Sequence, residues 1–120
     1  MPGNDSDEYA FRSAAFLRQF TDLAARLSDI GVTTVDANLR FGFMGSWTMT
    51  FRKRFEEIRV SFEPRDEFID IEYSPVDQHT SYRNWTTAVQ RPCPTESAVS
   101  QAEAFIRARY PLAPKPPGAH

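Results

Sequence analysis

Residues 35–55 alternate between apolar and polar side chains, which is the pattern of strands with one buried face. The apolar positions are Val35, Ala37, Leu39, Phe41, Phe43, Trp47, Met49 and Phe51. The polar positions are Asp36, Asn38, Arg40, Thr48, Thr50, Arg52 and Arg54. Directly opposed residues of an antiparallel pair share a face, so a hairpin with its loop at residues 44–46 fits the pattern. That register places Leu39 opposite Phe51.

Similar alternation recurs further along the chain between turn residues. A two-residue turn at Arg54 and Phe55 would join the second and third strands, but Arg-Phe is poor turn chemistry, so a longer loop is the alternative. The predicted strands cover residues 34–43, 47–54, 57–63, 68–74 and 83–90. In the last of them, Trp85, Thr87 and Val89 are expected to share one face. The predicted ion pairs on the polar face are Asp36–Arg54, Arg52–Glu57 and Arg59–Glu72.

Helical periodicity occurs on both sides of the strands. Apolar residues spaced four and three apart predict a first helix over residues 7–30, with Gly31 after its end. Thr95 is placed to cap a second helix over residues 96–109. Only one face of the predicted sheet is apolar, so both helices should cover that face.

The sequence therefore predicts an α+β fold with two layers, a five-stranded antiparallel meander carrying both terminal helices on one face. Residues 1–5 read as a flexible leader, residues 6–110 as a single domain and residues 111–120 as a disordered Pro-rich tail. The predicted core comprises Phe16, Phe20, Leu23, Leu27, Leu39, Phe41, Phe51, Val60, Phe62, Ile71 and Phe105.

Composition argues against several classes of partner. The 120-residue chain has a net charge of −2, so no overall positive field attracts nucleic acid or an anionic membrane. The aromatic residues of the first two strands share the face that the helices cover, which leaves none of them to stack on bases. The N-terminus is acidic and lacks an apolar signal segment, and no apolar run has the length of a membrane span. We therefore expect a cytoplasmic protein.

Few residues are suited to catalysis. Cys93 is the only cysteine, and His79 is the only histidine before the C-terminal residue. A nucleophilic pair would need them to meet in space, together with an orienting group. Asp70 and Glu72 share a strand face, but that spacing is common on solvated strands. No nucleotide-binding, hydrolase or zinc-protease motif is present. We predict no enzymatic activity, no cofactor and no metal site.

The polar positions of three neighbouring strands include four arginines, namely Arg40, Arg52, Arg54 and Arg59. One interpretation is a solvated face, whose ion pairs keep the sheet in register. The other is a docking surface for an acidic protein, since arginine is enriched among interface hot spots.

Two function classes follow. The first is a non-enzymatic protein-binding module, and the order of elements resembles that of small bacterial immunity proteins and secretion chaperones at the level of fold. The second is a small-ligand-binding domain with an aromatic pocket between helices and sheet, lined by phenylalanines with Trp47 and Trp85. Tight packing of a core explains these aromatic residues equally well.

Overall fold

A computed structural model describes residues 2–40, 45–77 and 79–111 and confirms the predicted α+β fold. One antiparallel sheet has its five strands in sequence order, so the chain forms a meander. The elements are α1 (Pro2–Ser28), β1 (Thr33–Arg40), β2 (Ser46–Lys53), β3 (Glu56–Glu63), β4 (Phe68–Pro75), β5 (Thr86–Pro92), a 3₁₀ turn (Thr95–Ser97) and α2 (Ala98–Arg109).

The ends of α1 differ in how well they were predicted. The helix begins at Pro2 and not at residue 7, so it includes most of the segment predicted as a leader. It ends at Ser28, and Gly31 follows with a φ of +80°, a conformation that glycine adopts without steric cost. Residues 112–120, most of the predicted tail, lie outside the described residues.

Both helices pack on one face of the sheet, which we call the inner face. Leu23 and Leu27 of α1 and Ile106 of α2 are fully buried there. Phe16, Leu39 and Phe105, which were predicted as core, lie partly buried at its margin, and Phe41 lies outside the described residues. The buried apolar side chains of the sheet are Trp47, Met49, Phe51, Ile58, Val60, Phe62, Ile69 and Ile71.

The predicted register between β1 and β2 is wrong. Leu39 lies opposite Trp47 rather than Phe51, and Asp36 lies opposite Thr50, so the predicted Asp36–Arg54 pair does not form. Registers that differ by two or four residues keep every side chain on the same face, and alternation cannot distinguish between them. The connection between the paired ends of β1 and β2 is longer than the predicted loop, and a bulge at Val35 shifts the register once more.

The face predicted for β5 is also wrong. A bulge at Ala88 places Val89 opposite Ile71, on the inner face, while Thr87 lies opposite Glu72, on the other face. An extra residue in one strand inverts the parity of the residues beyond it. Trp85 therefore does not share a face with Val89.

The tight turn between β2 and β3 forms as predicted. Lys53 pairs with Glu56, which leaves Arg54 and Phe55 as the two turn residues. Arg54 has a φ of 57°, in the left-handed region that non-glycine residues enter at a cost. The register of β2 with β3 confirms the predicted pair Arg52–Glu57, and the register of β3 with β4 confirms Arg59–Glu72.

Replacement of Leu23 by alanine tests the packing of α1 on the inner face. Leu23 is fully buried, so Leu23→Ala should lower the free energy of unfolding by about 2–5 kcal/mol in urea titrations followed by circular dichroism. Gln19→Ala is the matched control on the same helix, because Gln19 is exposed and its truncation should cost less than about 0.5 kcal/mol. Equal losses in the two variants would contradict the packing described above.

Candidate functional site

The face of the sheet opposite the helices, which we call the outer face, is the candidate site. Neither helix covers it, and strand alternation directs polar side chains towards it. Its central residues are Thr48, Thr50, Arg52, Glu57, Arg59, Ser61, Asp70 and Glu72.

The connection between β4 and β5 folds over one end of this face. The backbone N–H of Asn84 donates to the Ser74 hydroxyl at 2.9 Å, and Ser74 is fully buried. At the start of the connection, the backbone N–H of Val76 donates to the Phe55 carbonyl oxygen at 2.7 Å. This hydrogen bond anchors the connection to the β2–β3 turn. This crossing explains why β5 begins at Thr86 and not at residue 83.

A buried carboxylate lies beneath this crossing. Glu57 is 5% exposed and accepts hydrogen bonds from Arg83 Nε at 2.7 Å and from Arg52 Nε at 3.0 Å. Burial alone would raise the pKa of Glu57, but the hydrogen bonds and charges of Arg83 and Arg52 outweigh burial and hold its pKa below the ordinary value. The two guanidinium groups therefore have fixed positions around one anion.

Arg59 is held on two sides. Its Nε and Nη2 donate to Glu72 Oε1 at 3.1 and 2.9 Å, and its guanidinium carbon lies 4.1 Å from the centre of the Trp85 ring. Such stacking of a cation on an indole contributes about 0.5–1 kcal/mol at exposed sites. The sequence did not place Trp85 here, because alternation assigned it to the face of Val89. The length of the β4–β5 connection was the one feature of the sequence that could have indicated this position of Trp85.

The four predicted partner-binding arginines do not form one cluster. Arg52 and Arg59 are diagonal neighbours on β2 and β3. Arg40 ends β1 opposite Ser46, whereas Arg54 lies in the turn after β2, so the two are separated by roughly 27 Å along the strands. Both are exposed and form no ion pair with another described residue.

A shallow concavity of about 300 Å³ occupies the end of the outer face near Arg40. Asp70 lies in its wall, and Asp70 Oδ1 is buried without a hydrogen-bond partner among the described residues. Burial, followed by the charge of Glu72, raises the pKa of Asp70, against the opposing effects of Gln90 and Arg59. The sequence had suggested a solvated carboxylate. The unpaired oxygen instead offers an acceptor to a hydrogen-bond donor in the concavity.

The two tryptophans do not line a common pocket between helices and sheet. Trp47 is buried in the core, where its ring lies 5.0 Å from that of Phe20, centre to centre. Trp85 lies on the outer face against Arg59. The inter-layer pocket expected for a small ligand would therefore lack one of its two tryptophans.

Cys93 and His79 are not brought together. The Cys93 N–H donates to the Glu67 carbonyl just before β4, whereas His79 lies exposed beyond the other end of β4. The eight residues of β4 extend over roughly 25 Å. Burial raises the pKa of the Cys93 thiol, which disfavours the nucleophilic thiolate. Among the described residues, no three His, Cys, Asp or Glu side chains are grouped as a metal site requires.

Comparisons with protein-family models, with curated proteins and with solved structures find no match. In the part of the chain that the structure describes, no helix has the length and apolarity of a membrane span.

The role of Glu57 can be tested through the pH dependence of stability. A folded-state pKa below the unfolded value means that ionised Glu57 stabilises the fold above pH about 4.3, and this contribution is lost as the pH falls through the folded pKa. Glu57→Gln should cost about 1–3 kcal/mol at pH 7, with a smaller difference from wild type below pH about 4. Glu63→Gln, an exposed position on the same strand, should cost little at either pH. A pH-independent deficit would argue against the ionic role of Glu57.

The burial of Cys93 predicts a slow thiol. At 1% exposure, Cys93 should react with a disulfide reagent such as DTNB at least about 100-fold more slowly in the folded protein than in urea. Because Cys93 is the only cysteine, absorbance reports this one site. His79→Ala should leave the folded rate unchanged. A fast folded-state reaction that slows in this variant would instead indicate an activated thiol.

Proposed function

We propose that the protein is a non-enzymatic protein-binding module, of the small inhibitor, immunity or chaperone-like type, that docks an acidic partner on its outer face. Arg52 and Arg59 form the centre of the contact, with Arg40 and Arg54 at its margins. The proposal rests on one observation, the fixed orientation of Arg52 and Arg59 by Glu57, Glu72 and Trp85.

Fixed arginines suit recognition because less side-chain freedom is lost on binding. Arg52 and Arg59 donate to their glutamates through Nε and Nη2, which leaves Nη1 of each for a partner's carboxylate. Their side chains remain 42% and 35% exposed. Arg83 adds a third cation against the two glutamates, so this end of the outer face carries a small positive excess.

The dimensions of the outer face fit one interface. A protein interface of ordinary size covers about 800 Å² on each partner, which is a patch roughly 28 Å across. Arg40 and Arg54 are separated by roughly 27 Å along the strands, which is close to this width. Such a partner could therefore contact all four arginines, and the cytoplasm is the compartment that we propose for the complex.

A small polar ligand is the second possibility, and one observation favours it. The concavity near Arg40 contains the unpaired Asp70 oxygen together with the hydroxyls of Thr48 and Ser61. A ligand that donates hydrogen bonds would satisfy this oxygen. This site and Glu57 lie at opposite ends of the outer face, so variants of Arg52 and Arg59 would leave the site intact.

Recovery of partners from the source lysate tests the protein-binding proposal. The double variant Arg52→Gln, Arg59→Gln should recover the acidic partner at least about tenfold less efficiently than wild type, because hot-spot arginines contribute about 2 kcal/mol or more each. Melting temperatures of both proteins are compared first. The matched control is Arg18→Gln, Arg107→Gln, which removes two exposed arginines from the helical layer.

Two results would contradict docking on the outer face. One is wild-type recovery of every partner by the double variant. The other is loss of the partner from the Arg18, Arg107 control, which would move the contact to the helices.

A further inference from the structure

Strand β1 forms an open edge of the sheet. Among the described strands it pairs only with β2, so alternate backbone N–H and C=O groups on its other side have no partner in any of these strands. After the bulge at Val35, the five residues 36–40 pair regularly with β2. Ala37 is exposed even though it belongs to the inner face, so the described side chains of α1 leave this position of the edge open.

We propose that β1 pairs with β1 of a second copy of the chain, antiparallel, about a two-fold axis at Asn38. This proposal goes beyond the partner contact above, which is centred on Arg52 and Arg59. It would extend the sheet to ten strands and leave those two arginines exposed.

Charge selects this register. Opposed residues must share a face, so the axis can pass only through a residue of β1 and not between two residues. With the axis at Asn38, Asp36 lies opposite Arg40 of the second copy, and the pair occurs twice. An axis at Asp36 or at Arg40 would oppose like charges. An axis at Ala37 or Leu39 would place Asn38 opposite one of the charges.

The residues of this register are available for pairing. Asp36 and Arg40 are exposed and form no ion pair with another described residue. Asn38 would face Asn38 of the second copy, and amide side chains can donate to and accept from each other. On the inner face, Ala37 would cover the half-buried Leu39. Each favourable cross-strand pair contributes about 0.2–1 kcal/mol, in addition to the backbone hydrogen bonds.

Exposed apolar side chains also lie at this edge. Leu17 and Val35 are 45% and 42% exposed. Arg26 of α1 donates a hydrogen bond to Glu103 of α2. The side of α1 that carries Arg26 therefore faces α2. At 100° per residue, Leu17 lies about 180° from Arg26, on the side towards β1. The two-fold axis places both α1 helices on the same face of the joined sheet, so Leu17 of each copy would approach the other copy.

The opposite edge of the sheet is less suitable. Strand β5 has a bulge at Ala88 in its middle, and Pro92 at its end has no N–H to donate. Its only charged residue is Arg91, so two copies of β5 would offer no opposite charges. A second copy is therefore expected at β1.

Sedimentation equilibrium of the full chain tests the proposal. Over about two orders of magnitude in concentration, wild type should approach twice its mass of 13.7 kDa. Asp36→Arg and Arg40→Asp should each weaken the dimer at least about tenfold, because like charges then meet across the axis. The double variant Asp36→Arg, Arg40→Asp should dimerise like wild type.

A mixture of the two single variants is the most specific test of this register. Chains with Asp36→Arg carry two cations at these positions and chains with Arg40→Asp carry two anions, so an equimolar mixture should form a heterodimer. Asp66→Arg and Arg65→Asp in the exposed β3–β4 turn are matched charge controls and should dimerise normally. Circular dichroism verifies the fold of each variant.

Three outcomes would overturn the proposal. They are a wild type that stays monomeric throughout, single β1 variants that dimerise like wild type, and a mixture that stays monomeric. Capture of a strand from a different protein by a monomeric wild type would likewise show that the second copy is not the occupant.

Discussion

Burial of Leu23 and Leu27 under α1, and of Ile106 under α2, closes the inner face of the sheet. Each such side chain contributes about 1.5–3 kcal/mol when it leaves water. Two helices suffice for only one face, so every second residue of each strand remains outside the core. Those residues must be polar, and their charges must find partners or water. The chemistry of the outer face follows from this one-sided burial.

The β4–β5 connection depends on the outer face and also completes it. It contributes Arg83 to the buried Glu57 and Trp85 to Arg59. A buried carboxylate that lost its partners would cost several kcal/mol, so the ion pairs and the crossing segment stabilise each other. The orientation of Arg52 and Arg59 is a result of this mutual stabilisation, and the proposed partner contact rests on it.

The outer face is chemically uneven along the strands. At one end, arginines surround Glu57. At the other end, Asp70 has one oxygen without a hydrogen-bond partner in the described part of the chain, and its pKa is raised by burial and by Glu72. A pKa that is higher in the folded than in the unfolded chain means that ionisation of this carboxylate lowers the stability of the fold. Local departures from the most stable arrangement are commonly found at functional sites, which directs attention to this concavity as well as to the arginines.

Alternation and helical spacing by themselves determined the fold class, the order of the elements, and the inner face of strands β2 to β4 and of residues 36–40 in β1; at Val35 the bulge places Thr34, not Val35, opposite the buried Phe51. These properties depend on periods of two and 3.6 residues, which are local features of the chain. The same locality allowed the turn at Arg54 and Phe55 to be predicted together with the pairs of Arg52 and Arg59.

Tertiary structure alone decided the register of β1, the face of Trp85, and the burial of Glu57 and Asp70. An even register shift preserves every parity, so only the length of the connection and the bulge at Val35 select the observed pairing. The bulge at Ala88 and the path of the β4–β5 connection bring together residues far apart in sequence, such as Glu57 and Arg83. Burial of a side chain depends on such non-local neighbours, and no periodicity within one strand records them.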